Sequence, residues 1–193
     1  MTGRTHDAIA FASLVTAAAI SPPEQLNVAT ATAAIVVNII GATLPDIDQS
    51  TNRLWDFLPG RDFVGKLFRP LFLGHRNLTH SLLGVFLVYY GLGFILPRIL
   101  NPVYVEINII YAAMMIGYVS HLVGDAVTKE GLPLLFPFRW RFGFPPISAL
   151  RITTGKWIEN IVILPGTAAY VFWFIGNHHG EFVKLLKLIS EGN

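Results

Sequence analysis

Four histidines and three aspartates sit at the ends of apolar runs in this chain: His6, Asp46, Asp48, His75, His80, His121 and Asp125. Imidazole and carboxylate are the side chains that hold divalent metal ions and that move protons in acid–base catalysis. In His121-Leu-Val-Gly-Asp125 the two end residues are one helical turn apart, so they share a face and can bind one metal. Gly124 beside them leaves room for another group to approach. In Leu44-Pro45-Asp46-Ile47-Asp48, Pro45 disfavours helix at Leu44, and the reading is an extended turn in which Asp46 and Asp48 point the same way. Carboxylates that close repel unless a cation or proton lies between them. In His75-Arg76-Asn77-Leu78-Thr79-His80-Ser81, Asn77 caps a helix beginning at Leu78, which puts His80 in the first turn and His75 in the preceding loop. Arg76 suits a phosphate, because guanidinium binds oxyanions through a bidentate fork and helix N-terminal amides add to it. Glu159 opens the last apolar run. Each motif alone has a plainer reading: a His–Asp bond between helices, a solvated acidic turn, interfacial polar residues, or an acid serving the helix dipole.

Topology joins the motifs. His6 precedes the first apolar run, Asp46 and Asp48 follow the second, His75 and His80 open the third, and His121 and Asp125 close the fourth. Successive membrane segments alternate in direction, so all seven groups converge on one face. Ionisable groups in membrane segments are costly and mark function by default. Asn38 lies deeper and reads as a bond between helices. Glu106, His178 and His179 fall on the opposite face, outside the predicted site.

The elements that position these residues follow from composition. The 193 residues suggest one domain, and they are 53% hydrophobic and 13% charged with a mean hydropathy of +0.54. A soluble domain carries about 25% charge, so the chain reads as an integral membrane protein, 1–193, all-α and polytopic, with about five transmembrane helices. The apolar runs are 8–21, 26–44, 78–96, 103–127 and 158–175. The first has the outline of a signal peptide, but the later spans and His6 point to a permanent helix. There are no cysteines, which excludes disulfides and thiolate metal sites. The basic residues are spread through loops, so nucleic acid is not an expected partner.

Two loops, 49–77 and 128–156, lie on the site face. Residues 61–74 alternate basic and apolar residues and suit a membrane surface. Residues 132–146 are too proline-rich for a long helix and read as a re-entrant or interfacial loop. The tail, 178–193, reads as an amphipathic helix with Phe182, Leu185, Leu186 and Ile189 on one side. Of the 14 Lys and Arg, only Arg98, Lys184 and Lys187 lie on the far face, which predicts a cytoplasmic site face.

The sequence Gly-Arg-Thr-His-Asp near the start, Leu-Pro-Asp-Ile-Asp, His-Arg-Asn-Leu-Thr-His-Ser, His-Leu-Val-Gly-Asp and the late Arg-Ile-Thr-Thr-Gly-Lys-Trp-Ile-Glu together resemble the YdjM family of inner-membrane metal-dependent hydrolases. That family is similar in turn to zinc-dependent phospholipase C and single-strand nucleases, which are helical and use a His/Asp zinc cluster. The resemblance implies a bacterial or archaeal multi-pass inner-membrane protein. It also implies metal ligands at His6, Asp46, Asp48, His75, His80, His121 and Asp125. No later histidine is available on the site face for a three-zinc cluster, so one or two ions are expected. Zinc comes first, and manganese or magnesium is admitted. The implied activity is phosphoester hydrolysis, phospholipase C- or D-like, on a phospholipid or lysophospholipid. Arg76 and Arg151 would hold the phosphate, and Asp48 or Glu159 would act as general base. The alternative is a non-enzymatic membrane regulator or assembly protein with a structural metal. A transporter fits less well, since transport sites sit near the midplane within repeats.

Overall fold

The computed structural model describes residues 1–49, 52, 54–55, 77–138 and 140–192. Among the described residues, six α-helices run in the order α1 (Gly3–Ile20), α2 (Val28–Thr43), α3 (Leu82–Ile99), α4 (Ile107–Ala126), α5 (Leu164–Asn177) and α6 (His179–Glu191). A π-helical turn, Ile158–Ile163, leads into α5. Among the described residues there is no strand, only two isolated bridges in the loop between α4 and α5. The fold is the all-helical membrane bundle that the hydropathy predicts. Among the described residues, three stretches are long and apolar enough to cross a membrane: α3, α4 and the continuous run Ile158–Asn177. The apolar helix α2 is shorter, and α1 carries Arg4, His6 and Asp7 in its first turns.

The bundle is built around α4, which is buried along one side from Ile110 to Asp125. Small residues let α2 come unusually close to it. A Cβ on Gly41 would stand 2.1 Å from the Met114 carbonyl oxygen, and one on Gly117 would stand 2.0 Å from that of Asn38. Asn38, buried, donates from Nδ2 to the Ala113 carbonyl at 3.0 Å. Close backbone approach and interhelical hydrogen bonds are how helices associate in lipid, where no hydrophobic gain separates one apolar surface from another. Helix α3 has the opposite character: Leu82, Phe86, Tyr90, Phe94 and Ile99 are exposed along its length, as expected of a lipid-facing helix. The amphipathic tail helix α6 turns Phe182 onto Val15, Ala19 and Phe174.

Two local expectations are corrected. Residues 45–48 are not extended: Leu44 is helical (φ −60°, ψ −41°) and Pro45–Asp48 form a 3-10 turn. Proline's fixed φ fits the first position of a helical turn, where no N–H is needed. The step from Asp46 to Asp48 therefore no longer aligns their side chains. Helix α3 does not begin at Leu78 under an Asn77 cap. It begins at Leu82, and the Ser81 hydroxyl accepts from the Gly84 N–H at 3.1 Å. A turn closed by Ser81 N–H to the Leu78 carbonyl, 3.2 Å, precedes it. His80 thus lies in the turn before the helix.

Candidate metal centre

Four elements deliver five of the predicted side chains to one place. His6 comes from the second turn of α1, Asp46 from the 3-10 turn, His80 from the turn before α3, and His121 with Asp125 from the last turns of α4. Asp125 is the hub. Its Oδ1 lies 3.2 Å from His6 Nε2, and its Oδ2 lies 3.5 Å from His80 Nε2 and 3.7 Å from His121 Nε2. Asp46 bridges the same two rings from the other side, at 3.6 Å to His80 Nε2 and 3.9 Å to His121 Nε2. The terminal ammonium of Met1 also contacts Asp125 Oδ1. The His6 and His121 rings stack with centroids 3.6 Å apart. Gly124 makes this possible, since a Cβ there would stand 3.2 Å from the His6 ring.

The contacts at 3.5–3.9 Å are too long for hydrogen bonds. They suit ligand atoms that share an ion at about 2.0–2.2 Å from each, which leaves neighbouring ligands roughly 3–4 Å apart. His6, His80, His121 and Asp125 are 0–1% exposed, and Asp46 is 23% exposed on its side chain. Yet both nitrogens of His6, Asp46 Oδ1 and His121 Nε2 are buried without a hydrogen bond. A buried polar atom left unsatisfied costs about 1–3 kcal/mol, and a shared cation would relieve several of them at once. Among the described residues, two triads have their ligand atoms mutually within 4.8 Å: His6, His121 and Asp125, and Asp46, His80 and His121. The buried His/Asp group can hold a metal ion.

The surroundings prepare these atoms. The Nδ1–H of His121 donates to the Ala42 carbonyl at 2.6 Å, which in the neutral ring leaves Nε2 as the lone-pair nitrogen. His80 Nδ1 faces the Thr79 hydroxyl at 3.1 Å, and that hydroxyl donates to Asp48 Oδ2 at 3.4 Å. With its proton committed to Asp48, Thr79 accepts from Nδ1–H, and His80 likewise presents Nε2. Tying the remote nitrogen of a metal-binding histidine to a carbonyl or carboxylate is the usual way its tautomer and angle are fixed. Burial, the largest influence, pushes the His80 imidazole below its ordinary pKa despite the opposing pull of Asp125 and Asp46, which favours the neutral, metal-binding ring. Thr79 and the Ala42 carbonyl were not singled out from sequence. Thr79 was visible only as the residue before His80, and a carbonyl has no sequence signature. Access comes through a pocket of about 180 Å³ bordered by Gly3, His6, Asp46, Gln49, Asn52 and His121.

The remaining predicted residues lie elsewhere. Asp48 is buried one step behind, against Thr79, rather than beside Asp46. Glu159 is spent on the start of α1: Oε1 accepts from the Thr2 N–H at 2.6 Å and the Thr2 hydroxyl at 2.8 Å, and Oε2 accepts from the Gly155 N–H at 2.6 Å. Neither acid borders the pocket, so the general-base role expected of them has no geometric support. Arg151 is not aimed at a ligand. It donates to the Pro145, Gly143 and Pro146 carbonyls at 2.7, 3.1 and 2.9 Å, and so organises its own loop. His75 and Arg76 lie outside the described residues.

Comparison with known proteins places this architecture. The family described as YdjM inner membrane protein matches residues 1–189. The chain is 32% identical over 183 residues to the uncharacterized protein YvsG of Bacillus subtilis (strain 168), a match covering 94% of this chain and 99% of that one. It is 36% identical over 107 residues to the inner membrane protein YdjM of Escherichia coli (strain K12), and equally to that of Shigella flexneri. Those matches cover 55% of this chain and 50% of each relative. No solved structure matches.

Proposed function

Because the chain belongs to the YdjM inner membrane protein family, we propose that its buried His/Asp group is the metal centre of a membrane-bound hydrolase that cleaves a phosphoester in a phospholipid or lysophospholipid. One observation carries the reading. Five ligand side chains from four separate elements converge with ion-sharing spacing, at a helix end and not at the midplane, beside a pocket of about 180 Å³. A centre at that depth meets a lipid phosphate without drawing the lipid out of the bilayer. His80, His121, Asp46 and Asp125 would hold the first ion, with His6 and the second oxygen of Asp125 beside it. With imidazole and carboxylate donors and no thiolate, zinc is the first candidate, ahead of manganese and magnesium. A divalent ion in such a site supplies Lewis acidity toward a phosphoryl oxygen and an activated water nucleophile. This chain's residues do the rest: Ala42 and Thr79 fix the two imidazoles, and the partly exposed Asp46 is the ligand that faces the pocket. Arg76 stands beside His75 in the sequence as the candidate phosphate clamp. The charge bias of the loops supports a cytoplasmic site face.

The near-complete burial of four of the five ligands favours one rival, a closed structural metal in a non-enzymatic protein, since structural sites keep no open position. Elemental analysis of the detergent-purified protein, followed by hydrolysis of a lipid panel on the same sample, separates the two. Stoichiometric metal with release of headgroup or phosphate is the expected result. Metal without turnover on any lipid gives the rival, and a metal-free protein after reconstitution ends both.

A further inference from the structure

The loop between α4 and the Ile158–Asn177 run is tied to the bundle by its backbone and by one buried leucine. It is pinned as a hairpin. Leu132 and Phe142 exchange backbone hydrogen bonds at 2.7 and 2.8 Å, Ile152 N–H reaches the Val127 carbonyl at 3.0 Å, and Phe144 N–H reaches that of Ala126 at 2.8 Å. Arg151 ties together the Gly143, Pro145 and Pro146 carbonyls just beyond the hairpin. The pinned hairpin turns one leucine inward: Leu132 is buried against Tyr118 and Leu122. It turns its largest residues outward. Phe138 is 64% exposed, Trp140 66%, Phe144 71% and Ile147 63%. So many large apolar side chains held outward by an ordered backbone mark an interaction surface.

Its position says what covers it. The loop starts one turn beyond Asp125, whose carbonyl accepts from Thr128, and it bonds to the start of α3 through Leu82 N–H to the Leu134 carbonyl at 3.0 Å. Its start and the segment around Leu134 therefore sit where membrane-spanning helices leave the apolar layer, at the depth of the metal centre. Residues 128–156 carry Lys129, Arg139, Arg141, Arg151 and Lys156 against a single acid, Glu130. Aromatic rings with interleaved basic residues at that depth fit the headgroup boundary, with rings among the upper acyl carbons and cations at lipid phosphates.

We propose that residues 132–138 and 140–146 belong to a membrane-dipping platform that inserts Phe138, Trp140 and Phe144 into the leaflet beside the metal centre. Its partner is the phospholipid surface itself. This goes beyond the hydrolase reading and does not depend on it: the platform would hold lipid next to the centre whether or not the centre turns lipid over.

The chain has no cysteine, so single-cysteine labelling is clean. Nitroxide-labelled Trp140→Cys and Phe144→Cys, with Lys129→Cys at the loop base as reference, are reconstituted as full chains into phosphatidylcholine–phosphatidylglycerol vesicles. Collision with oxygen, which partitions into lipid, is compared with collision with a water-soluble nickel chelate. The ratio of oxygen to nickel accessibility should be several-fold higher at 140 and 144 than at 129. Equal ratios at the three positions place the loop in water and overturn the proposal. Protection from both reagents at 140 and 144 means that protein covers the face, and overturns it equally. Phe138→Cys replaces any variant that is not monodisperse in detergent.

Discussion

Asp125 and Glu159 are two fully buried carboxylates at the same end of one bundle, and their surroundings are opposite. Glu159 is saturated by the Thr2 amide, the Thr2 hydroxyl and the Gly155 amide, all at 2.6–2.8 Å. Asp125 meets the terminal ammonium of Met1 and faces three imidazole nitrogens at 3.2–3.7 Å, and among these rings both His6 nitrogens and His121 Nε2 have no hydrogen bond. The sequence offers both as acids at helix ends on one face. What separates them is hydrogen-bond accounting. A carboxylate whose lone pairs meet protein N–H and O–H donors needs nothing more, and it contributes to holding two helices together. A carboxylate ringed by imidazole nitrogens can share a metal ion with them. Burial alone does not distinguish structure from function here, whereas the kind of neighbour does: amide and hydroxyl donors around Glu159, imidazole nitrogens around Asp125.

The largest effect that tests this contrast is at the hub. Asp125→Asn keeps the shape of the side chain and removes the charge that faces all three imidazoles. Metal affinity should fall about 100-fold or more, beyond the 10–100-fold typical of losing a residue that merely orients a ligand, with helix content unchanged by circular dichroism. Titration of the metal-free protein with zinc reads it directly. A wild-type affinity in the variant would mean that Asp125 is a packing residue like Glu159. The opposite substitution is the control. Glu159→Gln should leave metal stoichiometry intact and lower stability in detergent by about 1.5–3 kcal/mol, the scale of a hydrogen bond to a charged group. Loss of metal from a folded Glu159→Gln protein would return Glu159 to the centre and erase the distinction.

A smaller effect sharpens the role of the residues behind the ligands. Thr79→Val keeps the volume but removes the hydroxyl between Asp48 and His80. Zinc affinity should weaken about 10-fold, the low end for such orienting groups, because the Thr79–Asp48 contact is long at 3.4 Å. Stoichiometry at saturating zinc should not change. An unaltered affinity would show that the angle of His80 is set by packing alone.

The pattern of what was readable follows from which interactions are local. The bundle was legible because lipid demands continuous apolar runs, and the convergence of His6, Asp46, His80, His121 and Asp125 was legible because alternating spans bring their ends to one face. Asp48 was misjudged because proline before an acid permits both an extended turn and a 3-10 turn, and only packing against Thr79 decides between them. The start of α3 was misplaced because Asn77 and Ser81 are both good caps, and the Leu78 turn fills the space over Gly84, where even a Cβ would stand 2.2 Å from the Leu78 oxygen. Glu159 and Arg151 were assigned to chemistry because residue type shows what a side chain can do. It does not show that the α1 amide or the proline-rich loop's carbonyls have already claimed it.

Arg151 gives the smallest and most discriminating test of that last point. Its guanidinium donates to three carbonyls of one loop, a fan of directions that a lysine ammonium on a flexible stem cannot reproduce. Arg151→Lys preserves the positive charge, so it preserves any attraction that a phosphate would feel. If the residue organises the loop, the substitution should cost about 1 kcal/mol. It should also speed amide exchange at Leu132 and Phe142, whose bonds close the hairpin, and leave metal affinity at the wild-type value. If instead the residue holds substrate, exchange at Leu132 and Phe142 should stay slow, and the loss should surface in lipid binding. Hydrogen exchange followed by mass spectrometry on the reconstituted protein separates the two, because loop order and ligand capture predict opposite results at the same two amides.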